Sequence, residues 1–74
     1  MTRLPACTPE MVIRAPGRAG FFLDHSTGSH RFYRHPHRPA IVTVPFHRND
    51  LKRGTLLAIL KQAGLTREEF LKLL

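Results

Sequence analysis

Acidic residues, cysteine and long apolar runs are all scarce in this chain. Five aspartates and glutamates stand against twelve lysines and arginines, a formal net charge of +7 over 74 residues. An imbalance of that size on so short a chain predicts a field that attracts polyanions, with nucleic acid as the leading partner class. A basic domain neutralised by an acidic protein partner has the same composition. The single cysteine, Cys7, cannot form an internal disulfide, so nothing points to an oxidising compartment. No base stands near it in the sequence, and it is assigned no chemistry. No apolar run approaches the roughly 20 residues needed to cross a bilayer. The start Met1-Thr2-Arg3-Leu4-Pro5 lacks the hydrophobic core of a signal peptide, so a cytoplasmic protein with no membrane partner is expected. Internal repeats and low-complexity segments are absent as well. A chain of this size buries only about 60% of its unfolded surface. One domain over residues 1–74 is therefore expected, with 1–7 as a loose lead-in, a thin core and marginal stability.

What is present divides into short elements. Thr8-Pro9-Glu10 reads as a helix start, with a hydroxyl cap, proline in the first turn and an acid near the positive end of the dipole. Pro16 and Gly17 predict a helix that is short, kinked or frayed between Ala15 and Ala19 and ends at Gly20. Phe21 to His25 reads as a first strand, Ser26-Thr27-Gly28 as a tight turn, and Ser29 to His35 as a second strand. Phe32 is expected to enter the core, with Arg31, Tyr33 and His35 on the other face. Pro36-His37-Arg38-Pro39 makes a second turn, and Ala40 to Val44, closed by Pro45, is a third, β-branched strand. After a loop from Phe46 to Asp50, Leu56, Ile59, Leu60 and Ala63 mark the core side of a helix that Gly64 ends. Thr66-Arg67-Glu68-Glu69 is a capping box flanked by a Leu65 and Phe70 staple, so a last short helix begins at Arg67, with Leu71 and Leu74 extending its apolar side. The order predicts an α+β fold, double-stranded-RNA-binding-like (α-β-β-β-α), with a three-stranded antiparallel sheet and helices on one face.

Gly28-Ser29-His30 is the stretch where chemistry is expected. A turn glycine leaves space above the backbone, so a phosphate could approach His30 closely. Arg31 and Tyr33 interleave charge and ring on what period two makes one face, as a nucleic-acid surface does and as any solvated sheet face can. Lys52 and Arg53 stand near the start of the helix that carries Leu56 to Ala63. Cations there oppose the dipole, yet beside free backbone amides they suit a phosphate; otherwise both simply meet water.

These residues resemble the HicA-type toxins, small messenger-RNA interferases of bacterial toxin–antitoxin systems. The resemblance runs from about Ala19 to Leu74 through Ala19-Gly20-Phe21, Gly28-Ser29-His30, Phe32 to Pro36, Val42-Thr43-Val44-Pro45, His47, Leu51 to Leu56 and Ile59 to Gly64. It implies a double-stranded-RNA-binding-like fold, ribonuclease activity without a cofactor, messenger RNA as substrate and a HicB-type antitoxin as partner. The family's catalytic histidine falls on His30, with Gly28 as the turn residue that keeps it accessible. The chain departs from the family at Pro16 and Gly17, where a regular first helix is usual, and at Ser26-Thr27, where a lysine commonly precedes the glycine.

Cleaving RNA without a metal requires deprotonation of a ribose 2′-hydroxyl, stabilisation of phosphate charge and protonation of the leaving oxygen. A histidine near its ordinary pKa can perform the first or the third at neutral pH. His30 is assigned as general base or acid, with Arg31, Lys52 and Arg53 on phosphate charge. His47 is a candidate second proton-transfer group, with a structural or solvated loop histidine as its alternative. An RNA-binding module without catalysis is the rival reading. A metal site built from His25, His30, His35, His37 and His47 is another, but their spacing matches no recognised zinc signature and no metal is expected. A basic face that exists only to dock an acidic antitoxin overlaps with the toxin reading.

Overall fold

The structure, a computed structural model, describes residues 4–74. The first three residues of the expected lead-in, 1–3, lie outside the described residues. The rest of that lead-in is tied down at its end: Cys7 is fully buried, and its carbonyl accepts the Leu51 N–H at 2.8 Å.

Thr8 caps the first helix as its residue type predicts, its Oγ1 accepting the Met11 N–H at 3.3 Å while Pro9 occupies the first turn. This helix, α1 (Pro9–Val12), stops after four residues, and Ile13 separates it from α2 (Arg14–Arg18). The break therefore falls upstream of the expected Ala15 to Ala19. Pro16 has no N–H for the Val12 carbonyl, and its ring crowds that same carbonyl, so the helix yields three residues before the proline. Pro16 itself then sits in the first turn of α2, where no amide donor is needed.

Three antiparallel strands follow, in the spatial order β1 (Phe22–Thr27), β2 (His30–Arg34) and β3 (Ile41–Pro45). Thr27 stands opposite His30, so the turn is Gly28-Ser29, one residue later than the sequence suggests. Gly28 has φ +56° and Ser29 a negative φ, the sign pattern of the two-residue turn that places glycine first. In β2 the expected facing is inverted. Tyr33 stands opposite Val42 and Arg31 opposite Val44, and both valines are fully buried. Tyr33 is therefore a core residue at 7% exposure, while Phe32 lies on the other face with His30 and Arg34. Alternation in a strand has two possible phases, and the cross-strand register decides between them.

The helical half follows its sequence signals closely. α3 (Arg53–Ala63) buries Leu56, Ile59, Leu60 and Ala63 and ends on Gly64 at φ +71°. α4 (Arg67–Leu73) begins with the capping box: Thr66 Oγ1 accepts the Glu69 N–H at 3.1 Å, and Glu69 Oε1 accepts the Thr66 N–H at 2.9 Å. Phe70 of α4 is fully buried, with Leu65 packed against the same cluster. Val12, Ala15 and Phe21 join Tyr33, Val42, Val44 and the α3 and α4 residues in that cluster, which holds the helices to one face of the sheet. On the outer edge of β3 the Gln62 Oε1 accepts the Thr43 N–H at 2.9 Å, occupying a strand group that would otherwise invite a foreign strand. Among the described residues, no helix is long and apolar enough to cross a membrane.

Candidate active site

The face of the sheet turned away from the helices is built in three rows. Thr27, His30 and Pro45 form the row at the turn; His25, Phe32 and Thr43 form the next; Phe22, Arg34 and Ile41 form the third. His30 opens β2 and is exposed. Nothing lies within 4 Å of where a side chain would begin at Gly28, so the turn leaves the histidine open to a bulky anion.

The middle row owes its arrangement to a bulge. The register of β1 shifts by one residue between Leu23 and His25, leaving Asp24 as the extra residue. His25 Nδ1 lies 2.7 Å from Asp24 Oδ2, and Arg34 Nε lies 3.2 Å from the same oxygen. An ionised carboxylate only accepts hydrogen bonds, so Nδ1 carries the proton and Nε2 is left for other work. The imidazole stacks on Phe32 with ring centroids 4.5 Å apart and planes 10° from parallel. The hydrogen bond from His25 holds the Asp24 carboxyl below the usual aspartate range; partial desolvation opposes this, and the Arg34 and His25 charges assist it.

The other expected site residues are dispersed. Gly28, Ser29 and His30 stand together as the motif implies. Arg31 is half-buried on the helical side, its guanidinium 3.6 Å from the centre of the Phe46 ring. Tyr33, expected to meet a base, has its ring in the core and is withdrawn from the open face. Lys52 lines a shallow hollow with Pro45, His47, Asn49, Asp50 and Thr55, and this hollow reaches the His30 row through Pro45. Arg53 lines a different hollow beside Leu4, Pro5, Ala6 and Leu56. His35 packs edge-on against Phe21 at 5.1 Å, and its Nδ1 accepts the His37 N–H at 3.0 Å, which accounts for both residues structurally. Among the described residues, no three His, Cys, Asp or Glu side chains gather as a metal ion would require. Burial and then the Asp50 charge push the Cys7 thiol up, and its Sγ–H donates to the Pro5 carbonyl at 3.3 Å.

Asp24, Phe32 and Arg34 are the members of this surface that sequence reasoning did not single out for it, and His25 entered only as one of five scattered histidines. A turn placed at Gly28-Ser29 would have set Thr27 opposite His30 and so brought His25 into the neighbouring row. The bulge at Asp24 has no comparable local signature.

A family model described as HicA toxin of bacterial toxin–antitoxin matches residues 10–65, from α1 to the residue after the Gly64 cap. No curated protein matches the chain.

Proposed function

The chain belongs to the HicA toxin family of bacterial toxin–antitoxin systems, and from that premise we propose that it is a metal-independent endoribonuclease acting on messenger RNA in the cytoplasm and neutralised by a HicB-type antitoxin. The observation that carries this reading is the position of His30, exposed at the first residue of a strand beside an unobstructed glycine turn. The net charge of +7 supports an RNA partner.

In the proposed reaction a neutral imidazole takes the proton of a ribose 2′-hydroxyl, and the freed oxygen attacks the adjacent phosphorus. The bond from phosphorus to the 5′ oxygen breaks, and a protonated group supplies the proton that this oxygen needs. The products are a 2′,3′-cyclic phosphate and a 5′-hydroxyl. His30 performs one of the two proton transfers. Lys52 contributes positive charge beside the His30 row, and Arg31 and Arg53 add to the field that holds the phosphate backbone.

Purified protein and its His30→Ala variant, each incubated with messenger RNA in EDTA and followed on a denaturing gel, test the proposal. Cleavage by the parent and none by the variant supports it. Intact RNA with folded parent protein overturns it and leaves a binding module of the same fold. RNA affinity is expected to fall steeply with salt as backbone contacts release counterions, and a flat response would remove the phosphate-surface reading altogether.

A further inference from the structure

We infer that His25, oriented by Asp24, is the second proton-transfer residue of this site and works as a pair with His30. The inference rests on the ribonuclease reading and names the group that the reaction still lacks.

His25 and His30 lie on the same face, in adjacent rows and on adjacent strands, because His25 stands opposite Phe32 and His30 opposite Thr27. Diagonal neighbours of an antiparallel pair are about 7–8 Å apart at the backbone. A phosphodiester between two imidazoles needs room for two hydrogen bonds of about 2.6–3.2 Å flanking the attacking and leaving oxygens, and that diagonal provides it. His25 also has what a proton-transfer histidine requires: an ionised carboxylate at 2.7 Å that fixes its tautomer, and a side chain that remains 55% exposed. Stacking on Phe32 at 4.5 Å holds the ring's plane, so Nε2 has a defined direction. Arg34 Nε holds the same Asp24 oxygen at 3.2 Å. Asp24 is thus a positioning residue, and Phe32 is the platform.

The charged and titratable groups facing His25 are Asp24 on its own strand and Arg34 and His30 on β2. β1 is an edge strand, and among the described residues no strand lies on its other side. His47 lines the hollow that reaches the His30 row through Pro45, with Asn49, Asp50 and Lys52, and a second one with Thr8, Glu10 and Arg48.

Proton balance holds with two histidines. One enters neutral and takes the 2′ proton; the other enters protonated and gives its proton to the 5′ oxygen. The pair ends with the same number of protons and the opposite distribution.

The experiment is a pH–rate profile for RNA cleavage in EDTA with the parent, His25→Ala, His25→Asn, Asp24→Asn and His30→Ala. Each protein is checked for folding by circular dichroism and for affinity to a 2′-O-methyl RNA, in which attack is blocked. The parent is expected to give a bell-shaped profile. Both His25 variants should lose roughly 100-fold to 10,000-fold in rate, keep their RNA affinity and lose one limb of the bell. His30→Ala should lose the other limb. Asp24→Asn should lower the rate less than loss of the imidazole and displace the limb that His25 contributes. Unchanged rates in the His25 variants, or lowered rates with both limbs intact, overturn the assignment while leaving His30 and the ribonuclease reading standing. A parent that leaves RNA intact overturns both.

Discussion

The helical pair α3–α4 and the strand pair β1–β2 are each two consecutive elements joined at a glycine of positive φ, Gly64 in one and Gly28 in the other. They spend their side chains in opposite ways. α3 and α4 bury Leu56, Ile59, Leu60, Ala63 and Phe70, and their C-terminal carbonyls receive arginines: Arg38 Nη2 donates to Ala63 at 3.4 Å, and Arg18 Nη1 to Leu73 at 3.0 Å and Leu74 at 2.7 Å. In β1 and β2 Tyr33 alone is buried, and the whole length of β1 is exposed. Such a division lets a small domain with one thin core place a polar, chemically active face where little of its stability resides. The hairpin is held through Tyr33 and through pairing to β3, whose Val42 and Val44 are themselves in the core.

The sharpest way to break this comparison is to truncate one aromatic in each pair. Phe70→Ala should remove about 3–5 kcal/mol, since Phe70 is fully buried in the cluster. At about 4–8 °C per kcal/mol for a domain of this size, that unfolds much of the protein at ordinary temperatures. Phe32→Ala removes a half-buried ring whose described aromatic contact is with His25. It should cost less than about 1.5 kcal/mol in a urea melt. Losses of equal size would mean that the open face also carries the fold.

The next test equalises stability and separates function. Thr66→Ala removes a helix cap and should cost about 1 kcal/mol. Gly28→Ala forces a side chain into a left-handed backbone with no atom within 4 Å to clash, so the strain of that conformation alone applies, also about 1–2 kcal/mol. Matched melting temperatures are expected, with cleavage retained in the Thr66 variant and reduced in the Gly28 variant. Equal activities would show that the turn serves only the chain's reversal.

The two pairs also differ in how far the sequence reveals them. α3 and α4 are legible because each signal acts within a few residues: the 3.6-residue spacing from Leu56 to Ala63, Gly64 as terminator, and Thr66 bonded to Glu69 three residues on. The first helix is half legible. Pro16 announces a break, but the group it deprives is the Val12 carbonyl, so the break appears at Ile13 rather than at the proline. The strands are legible as segments and not as faces. Whether Phe32 or Tyr33 turns inward depends on which of them stands opposite Val42, and that is set by turns and registers no local window contains. His30 was visible because its turn glycine adjoins it in sequence. Asp24, His25 and Arg34 meet beside it only after a hairpin and a bulge have both formed.

The smallest expected effect is a pH dependence, and it divides the same two regions. Glu69 in the α4 cap and Asp24 on β1 both have lowered carboxyl pKa values, the first chiefly through the backbone hydrogen bond from Thr66, the second chiefly through the hydrogen bond from His25. A carboxyl whose folded pKa lies below its unfolded one adds stability that is fully present above the unfolded value of about 4. That contribution fades as pH falls through the lowered folded value. Thermal melts taken from pH 6 down toward pH 2 should therefore show stability declining below about pH 4. Glu69→Gln and Asp24→Asn should each flatten part of that decline, and their effects should add because the two sites share no partner. Both carboxylates lie at the surface, where screening keeps such contributions small, so the shifts in melting temperature should be slight and should shrink further in high salt. If Asp24→Asn leaves the acid limb unaltered while still lowering the cleavage rate, the carboxylate orients His25 without holding the hairpin together, and the separation between the stabilising pair and the working pair is complete.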